Sequence, residues 1–266
     1  MTVGTYLDRI VEHHREVARR DLRVTNSLVQ DCVGLPGARG FIDRIRCDAE
    51  SGLSVIAEIK RRSPSKGDLN AGLDPADIAR LYAAGGASCL SVLTDSEHFG
   101  GSVADLKAAR SAVDLPVLRK DFTVSANDVL DARLMGADCV LLIAAALTVD
   151  ELSSFHALAT DIGLDVLVEI HDEAELEIAL GVGASMIGVN QRDLVTFRVD
   201  HERAERMASL IPSEVVRVAE SGVRDAADAG RLKEAGYHAV LVGESIVTSA
   251  DPVGAVSALR SASHAR

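Results

Sequence analysis

Eight short β-rich runs begin near Val55, Ser88, Pro116, Asp138, Asp165, Ser185, Val215 and His238, 20 to 33 residues apart, and nearly every interval holds a helix-length stretch with helical apolar spacing. Strand and helix alternating eight times leave few folds open. Near-continuous apolar runs such as CLSVL (Cys89–Leu93), CVLLIAAAL (Cys139–Leu147) and AVLVG (Ala239–Gly243) are those of a parallel sheet covered on one face by helices. Helix starts are marked where an acidic N-cap precedes a proline, at Asp74-Pro75 and Asp251-Pro252. Helix ends are marked by glycines leading straight into a strand, at Gly86-Ala87, Gly136-Ala137, Gly183-Ala184 and Gly236-Tyr237. Their recurrence at roughly 50-residue intervals reads as a repeated two-unit module. An open doubly wound sheet rarely takes eight such evenly spaced units, so the expected fold is α/β, a closed (β/α)8 TIM barrel.

About 50 residues precede the first strong strand. Residues 5–22 (TYLDRIVEHHREVARRDL) space Leu7, Ile10, Val11, Val17, Ala18 and Leu22 by three, four and seven, which predicts an amphipathic helix with a face to bury. His13 and His14 are adjacent, so they point in different directions on that helix and cannot clamp one metal as an i, i+4 pair would; they read as solvated or partly packed. Gly34, Pro36, Gly37 and Gly40 then break the chain before a short apolar segment around Phe41 to Ile45. Too few apolar residues are present here for a separate core. Residues 1–50 therefore read as an N-terminal helical extension packed on the barrel, and residues 1–266 as one domain.

With 266 residues, 47% hydrophobic and 26% charged, the chain suffices for one large core, and about 250 residues is a natural barrel size. The formal net charge of −12 argues against a general nucleic-acid binder, which needs a basic face, so any phosphate is expected in a small local site. Cys32, Cys47, Cys89 and Cys139 show no C-x-x-C spacing, and the last two lie in apolar runs; this predicts a reduced cytoplasmic protein without disulfides or a zinc site. The longest uncharged apolar run, Cys139–Leu147, is well short of the ~20 residues of a membrane span. Acidic residues at Asp8 and Glu12 leave no signal core, so neither export nor insertion is expected.

Charges fall at strand ends. In VIAEIK (Val55–Lys60), alternation places Ile56, Glu58 and Lys60 on one face and Val55, Ala57 and Ile59 on the other. Taken alone, Glu58 and Lys60 read equally well as a weak ion pair on a solvated face. The pattern repeats, however: the third strand (PVLRKDF) ends in Lys120, the fifth (DVLVEIH) in Glu169 and the seventh (VVRVAESG) in Glu220. By alternation these strand-end charges share lumen faces with Ile56, Leu118, Leu167 and Val218. Barrel interiors are layered from alternate strands and active sites lie at the strands' carboxyl ends, so these residues can meet as one polar ring at the mouth. Burying isolated charges is costly, which leaves a structural ion network as the bland alternative to a catalytic one.

The even strands add other chemistry. The sixth ends in GVNQRDL, where Asn190 offers amide hydrogen bonds and Arg192 a fork suited to a carboxylate, unless Arg192 is a surface residue. The seventh continues into Ser221-Gly222, and the eighth into Gly243-Glu244-Ser245 at the start of a short helix. Such loops are a common phosphate cradle in this fold, although glycine also serves ordinary turns. The Pro/Ser/Gly-rich loop from Arg61 to Asn70 reads as a lid over the mouth. Arg61 and Arg62 within it are as readily solvated as functional.

Seven segments, in order and each at a strand end, carry a resemblance: AEIKRRSPSKG (57–67), SVLTDSEHFGGS (91–102), PVLRKDF (116–122), LVEIH (167–171), GVNQRDL (188–194), AESGV (219–223) and LVGES (241–245). Through them the chain strongly resembles indole-3-glycerol phosphate synthase, the enzyme of tryptophan biosynthesis, over essentially its whole length. The resemblance implies a (β/α)8 barrel with an extension over part of the mouth, no metal and no organic cofactor. It implies a carboxy-lyase acting on 1-(2-carboxyphenylamino)-1-deoxyribulose 5-phosphate: ring closure with loss of carbon dioxide and then water, giving indole-3-glycerol phosphate. Lys120 matches the family's general acid and Glu169 its base; Lys60 and Lys120 are the candidate acids for dehydration. Glu58 matches a residue that holds substrate and supports proton transfer. Which lysine serves which step stays open, because neighbouring cations lower a lysine pKa while Glu58 and Glu169 raise it.

Pro64, Phe99 and Phe122 match contacts of an apolar slot for the aryl group, with Leu142 added to them and Ser63 counted among the substrate-binding positions. Asn190, Arg192 and Glu220 match positions that hold the substrate's polar groups. Ser221, Gly222, Gly243 and Glu244 match the phosphate loops. The family often has serine where this chain has Glu244. A carboxylate repels phosphate, so only the Glu244 backbone N–H is expected to take part, with its side chain pointing away.

Two rival readings stand beside this one. Another phosphate-handling barrel, such as phosphoribosylanthranilate isomerase or the tryptophan synthase α-subunit, leaves LRKDF and SPSKG unexplained. A catalytically silent barrel that binds a phosphorylated metabolite has no need of both Lys120 and Glu169. Fold analogy does not choose among them; the mouth residues do. The expected partner is a small phosphorylated molecule, with neither nucleic acid nor membrane, and no feature marks a dimer face, so a monomer is expected.

Overall fold

The computed structural model describes residues 5–63, 66–193 and 195–262. Three helices come first: α1 (Tyr6–Arg20), α2 (Thr25–Val33) and α3 (Phe41–Ala49). Eight parallel strands then close into a barrel, namely β1 (Ser54–Ile59), β2 (Cys89–Leu93), β3 (Val117–Lys120), β4 (Cys139–Ile143), β5 (Asp165–Ile170), β6 (Met186–Asn190), β7 (Val216–Glu220) and β8 (Ala239–Val242). Each strand pairs with the next and β8 pairs with β1. Every strand begins within one residue of its predicted start.

Between the strands run α4 (Pro75–Ala84), α5 (Val103–Ala112), α6 (Ala126–Met135), α7 (Val149–Asp161), α8 (Glu173–Gly181), α9 (Arg203–Ala208) and α10 (Ala226–Glu234). The short α11 (Glu244–Val247) and α12 (Pro252–Arg260) follow β8. Local chemistry accounts for the boundaries. Asp74 caps α4 by accepting the N–H groups of Ala76 and Asp77, with Pro75 in the first turn. Gly86, Gly136, Gly183 and Gly236 take φ of 87°, 94°, 79° and 96°, the left-handed turn that ends a helix at little cost only for glycine.

The strands divide the apolar residues into two layers. Val55, Ala57, Val117, Val140, Val166, Val168, Ile187, Val189, Ala219 and Val240 face the surrounding helices. Ile56, Cys89, Leu118, Leu141, Leu167, Met186, Val218 and Leu241 fill the lumen. The predicted lumen residues Ile56, Leu118, Leu167 and Val218 all lie in that inner layer. No helix among the described residues is long and apolar enough to cross a membrane.

The N-terminal helices touch both ends of the barrel. Phe41, Ile42 and Ile45 of α3 are buried against the lumen residues at the strands' amino ends, where the Ile42 N–H donates to Asp165 and the Ser54 hydroxyl donates to the Ile45 carbonyl. Leu28 and Cys32 of α2 pack on Leu130 of α6. Helix α1 reaches the opposite end, through His14 to Asp95 and Tyr6 to Phe197. Its face differs from the predicted one. Ile10 is buried, but Val17 is 54% and Leu22 92% exposed, and the helix stops at Arg20. Polar side chains hold it instead: Arg15 forks onto Glu151 at 2.7 and 2.9 Å and reaches the Ala146 carbonyl at 3.1 Å.

Candidate active site

The odd strands deliver their terminal charges to one place. Lys120 Nζ donates to Glu169 Oε2 at 3.1 Å and stands 3.7 Å from Glu220 Oε2. Lys60, just past the end of β1, pairs with Glu58 on the same face. Asn190, at the end of β6, donates from Nδ2 to Glu169 Oε1 at 2.9 Å, while its Oδ1 accepts the Arg192 N–H at 3.0 Å. The barrel register explains the meeting: Glu169 lies opposite Ile143 and Gly188, and Glu220 opposite Asn190 and Leu241.

Glycine makes room for two of these carboxylates. A Cβ at Gly188 collides with Glu220 Oε1, and one at Gly243 collides with Glu58 Oε1. Glu58, Glu169 and Glu220 are almost completely buried, at 5%, 1% and 2% exposure.

Burial and charge sort the protons. Burial disfavours the Lys120 ammonium, but Glu169, Glu220 and Glu58 outweigh it and raise its pKa, so it stays protonated. Burial likewise lifts Glu169, yet Lys120, His171 and the Asn190 amide more than reverse this and keep it ionised. Glu220 goes the other way: burial, reinforced by the Glu169 charge, pushes it well up, so it is the carboxyl that keeps its proton. A charged acid thus stands beside an ionised base and a neutral carboxyl. His171, absent from the predicted set, stands behind Glu169 with its Nε2 3.7 Å from Glu169 Oε1; its Nδ1 is 3.1 Å from Glu175 Oε2.

Above the cluster opens a cavity of about 480 Å3 lined by Glu58, Lys60, Ser63, Lys120, Glu169, Asn190, Arg192 and Glu220. Phe99 and Phe122 form one wall, their ring centroids 6.3 Å apart at 37°. Leu142 is corrected: its side chain is buried in the outer layer against the helices, and the cavity is lined by its neighbours Leu141 and Ile143. Strand alternation forces that exchange, because neighbours in β4 face opposite ways. Ser63 Oγ, Glu220 Oε1 and His171 Nε2 are buried without a hydrogen-bond partner among the described residues. In the cavity wall, Ser63 and Glu220 are therefore open to a ligand. Arg192 donates one guanidinium bond to the Phe197 carbonyl at 3.1 Å and keeps its other donors.

Ser221 and Gly222 take successive left-handed conformations, φ 63° and 75°. For a residue with a side chain this costs about 1–2 kcal/mol, a strain of the kind stored at ligand-binding turns. Gly243 and Glu244 border the same end of the cavity, where α11 begins. The Glu244 side chain reaches across the rim to Lys66 Nζ at 3.4 Å. Lys66 belongs to the expected lid, a short hairpin pairing Arg62 with Asp68 and Ser63 with Gly67. Pro64 lies outside the described residues. Arg61 is held rather than free, half-buried: it pairs with Asp105 and donates to the Leu73 carbonyl at 3.1 Å.

A charged lysine set against an ionised glutamate, facing a partly apolar cavity, is an arrangement suited to acid–base chemistry, and it lies at the carboxyl ends of the strands, where enzymes of the (β/α)8 class carry their active sites. The profile of the family described as Indole-3-glycerol phosphate synthase matches residues 7–259, and the chain belongs to that family. Proteins named indole-3-glycerol phosphate synthase are 48% identical over 255 residues in Streptomyces griseus, covering 95% of this chain and 94% of the relative, and 46% over 260 residues in Mycobacteroides abscessus, covering 97% and 95%. The Nocardioides protein of that name is 54% identical over 206 residues, 77% of this chain and 79% of its own. Among solved structures, a thiamine phosphate pyrophosphorylase from Pyrococcus furiosus superposes with a TM-score of 0.58 at 16% identity, over 79% of this chain and 95% of that one, a likeness of fold alone.

Proposed function

We propose that the chain catalyses ring closure of 1-(2-carboxyphenylamino)-1-deoxyribulose 5-phosphate to indole-3-glycerol phosphate, as a carboxy-lyase in tryptophan biosynthesis. The observation that carries this reading is the Lys120–Glu169 pair, 3.1 Å apart, with the acid protonated and the base ionised in the same cavity. As the ring carbon bearing the carboxylate attacks the ketone carbon, Lys120 gives its proton to the ketone oxygen. The C–CO2 bond then breaks and its electron pair restores the aromatic ring. Dehydration follows: Lys60 or Lys120 protonates the departing hydroxyl while Glu169 takes the aniline proton, and a proton passing from the former C1 methylene to nitrogen completes the indole. Phe99, Phe122, Leu141 and Ile143 give the aryl group an apolar seat that favours loss of its carboxylate, and Asn190 fixes the orientation of Glu169. Arg192 and Glu220 hold polar groups, and the Ser221-Gly222 turn with Gly243 and the Glu244 N–H takes the phosphate. The protein works as a single-domain cytoplasmic monomer on this small phosphorylated molecule, without nucleic acid, membrane or organic cofactor.

The test is product formation from that substrate with EDTA present, with Lys120→Ala and Glu169→Gln beside the wild type. Product from the wild type and a loss of about 10²-fold or more in each variant supports the reading. No product from folded wild type that still binds the substrate overturns it in favour of a silent binder.

A further inference from the structure

We propose that His14, Asp95 and His98 form a binding site for one divalent transition-metal ion, with Zn2+ the best chemical match, that fastens α1 to the loop after β2. The adjacent pair His13 and His14 cannot share an ion, but the tertiary fold brings His14 two other ligands. His14 Nε2 stands 2.9 Å and His98 Nδ1 3.1 Å from the same oxygen, Asp95 Oδ2. All three ligand atoms lie within 4.8 Å of one another. In a tetrahedral zinc site with bonds of about 2.0–2.1 Å, neighbouring ligand atoms stand about 3.3 Å apart, so small side-chain shifts admit the ion.

The surroundings favour a cation. Asp95 Oδ1 already accepts the N–H groups of His98 at 2.6 Å and Phe99 at 3.1 Å, which fixes the carboxylate and turns Oδ2 to the imidazoles. The side chains are 2% (Asp95), 18% (His14) and 15% (His98) exposed, enclosed yet reachable. Among the described residues, Asp95 pairs with no lysine or arginine. A second carboxylate oxygen, Asp121 Oδ1, stands 3.9 Å from His14 Nε2, and it or a water completes four-coordination. Two imidazoles with carboxylate oxygen suit Zn2+ better than the hard ions Mg2+ and Ca2+.

The ion acts on structure, beside the reaction rather than in it. Phe99, whose N–H Asp95 holds, lines the cavity, and the His14 ring packs on Phe122 with centroids 5.3 Å apart. Occupancy therefore ties the first helix to both aromatic residues of the cavity wall.

The experiment is calorimetric titration of the tag-free full chain, stripped with EDTA and desalted, with Zn2+, together with the visible spectrum of its Co2+ complex. One ion per chain is expected. At least tenfold weaker uptake is expected in His14→Gln and in His98→Gln, whose amides can still donate to Asp95, and unchanged uptake in His13→Gln. Absence of saturable uptake, or uptake undiminished in His14→Gln and His98→Gln, overturns the site and leaves a hydrogen-bonded His–Asp–His bridge. The wild-type Co2+ spectrum decides even if a variant unfolds: an intense four-coordinate visible band supports the site, and only the weak band of the hydrated ion overturns it.

Discussion

Lys120 is where sequence and structure agree most fully, since a lysine ending an apolar strand points into the lumen and finds two carboxylates there. Replacing it with alanine is expected to lower kcat by about 10²–10⁴ with a smaller change in KM, read by steady-state kinetics. His171 is a separate case, because nothing in LVEIH distinguishes a histidine behind the base from one on the surface. Its Nε2 faces Glu169, Glu175 holds its other nitrogen, and its positive form helps keep Glu169 ionised. In the proposed mechanism Glu169 acts as the base and must be ionised, so activity is expected to fall as pH drops through its pKa. In His171→Asn that pKa rises, and the acid limb of the kcat/KM profile is expected to move to higher pH. An unmoved limb assigns the control of Glu169 to Lys120 and Asn190 alone. Leu142 marks the limit of reading residues singly: in CVLLI both strand faces are apolar, so no polar side chain reveals which residues look inward.

Among the elements, α3 and the loop from Arg61 to Asn70 do what their sequences only partly disclose. The break at Gly34 to Gly40 shows that a new segment starts, but not that Phe41 and Ile45 close the floor of the barrel, each fully buried. Phe41→Ala is expected to cost about 3–5 kcal/mol in denaturant unfolding, because the cavity lies among strand residues that cannot collapse into it. A loss below about 1 kcal/mol would mean that the floor is not a packed one. At the mouth, Lys66 pairs with Glu244 beside the Ser221-Gly222 turn. Glu244→Ser removes a carboxylate from the proposed phosphate end and frees that ammonium, so a severalfold lower KM with kcat little changed is expected. A higher KM would show that Glu244 assists binding through its side chain.

At the scale of the molecule, the extension and the barrel share one interior. Removing residues 1–50 uncovers Ile56, Cys89, Cys139, Met186 and Val216 at the strands' amino ends. The expected result is loss of a soluble, monodisperse species in size-exclusion chromatography; a stable, well-folded truncated barrel would contradict this. The sequence by itself determined the eight strand–helix units, the turns between them and the charges at strand ends, because these depend on local periodicity and on residues near in the chain. Alternation within β1, β3, β5 and β7 carried that reading into the lumen, since a charge at each strand's end marks its inner face. Only the tertiary structure decided the inward face of β4, the two ends of the barrel reached by α1 and α3, the proton kept by Glu220, and the meeting of His14 with Asp95 and His98. Each of these rests on groups far apart in sequence, and their distances and shared burial exist only once the barrel has closed.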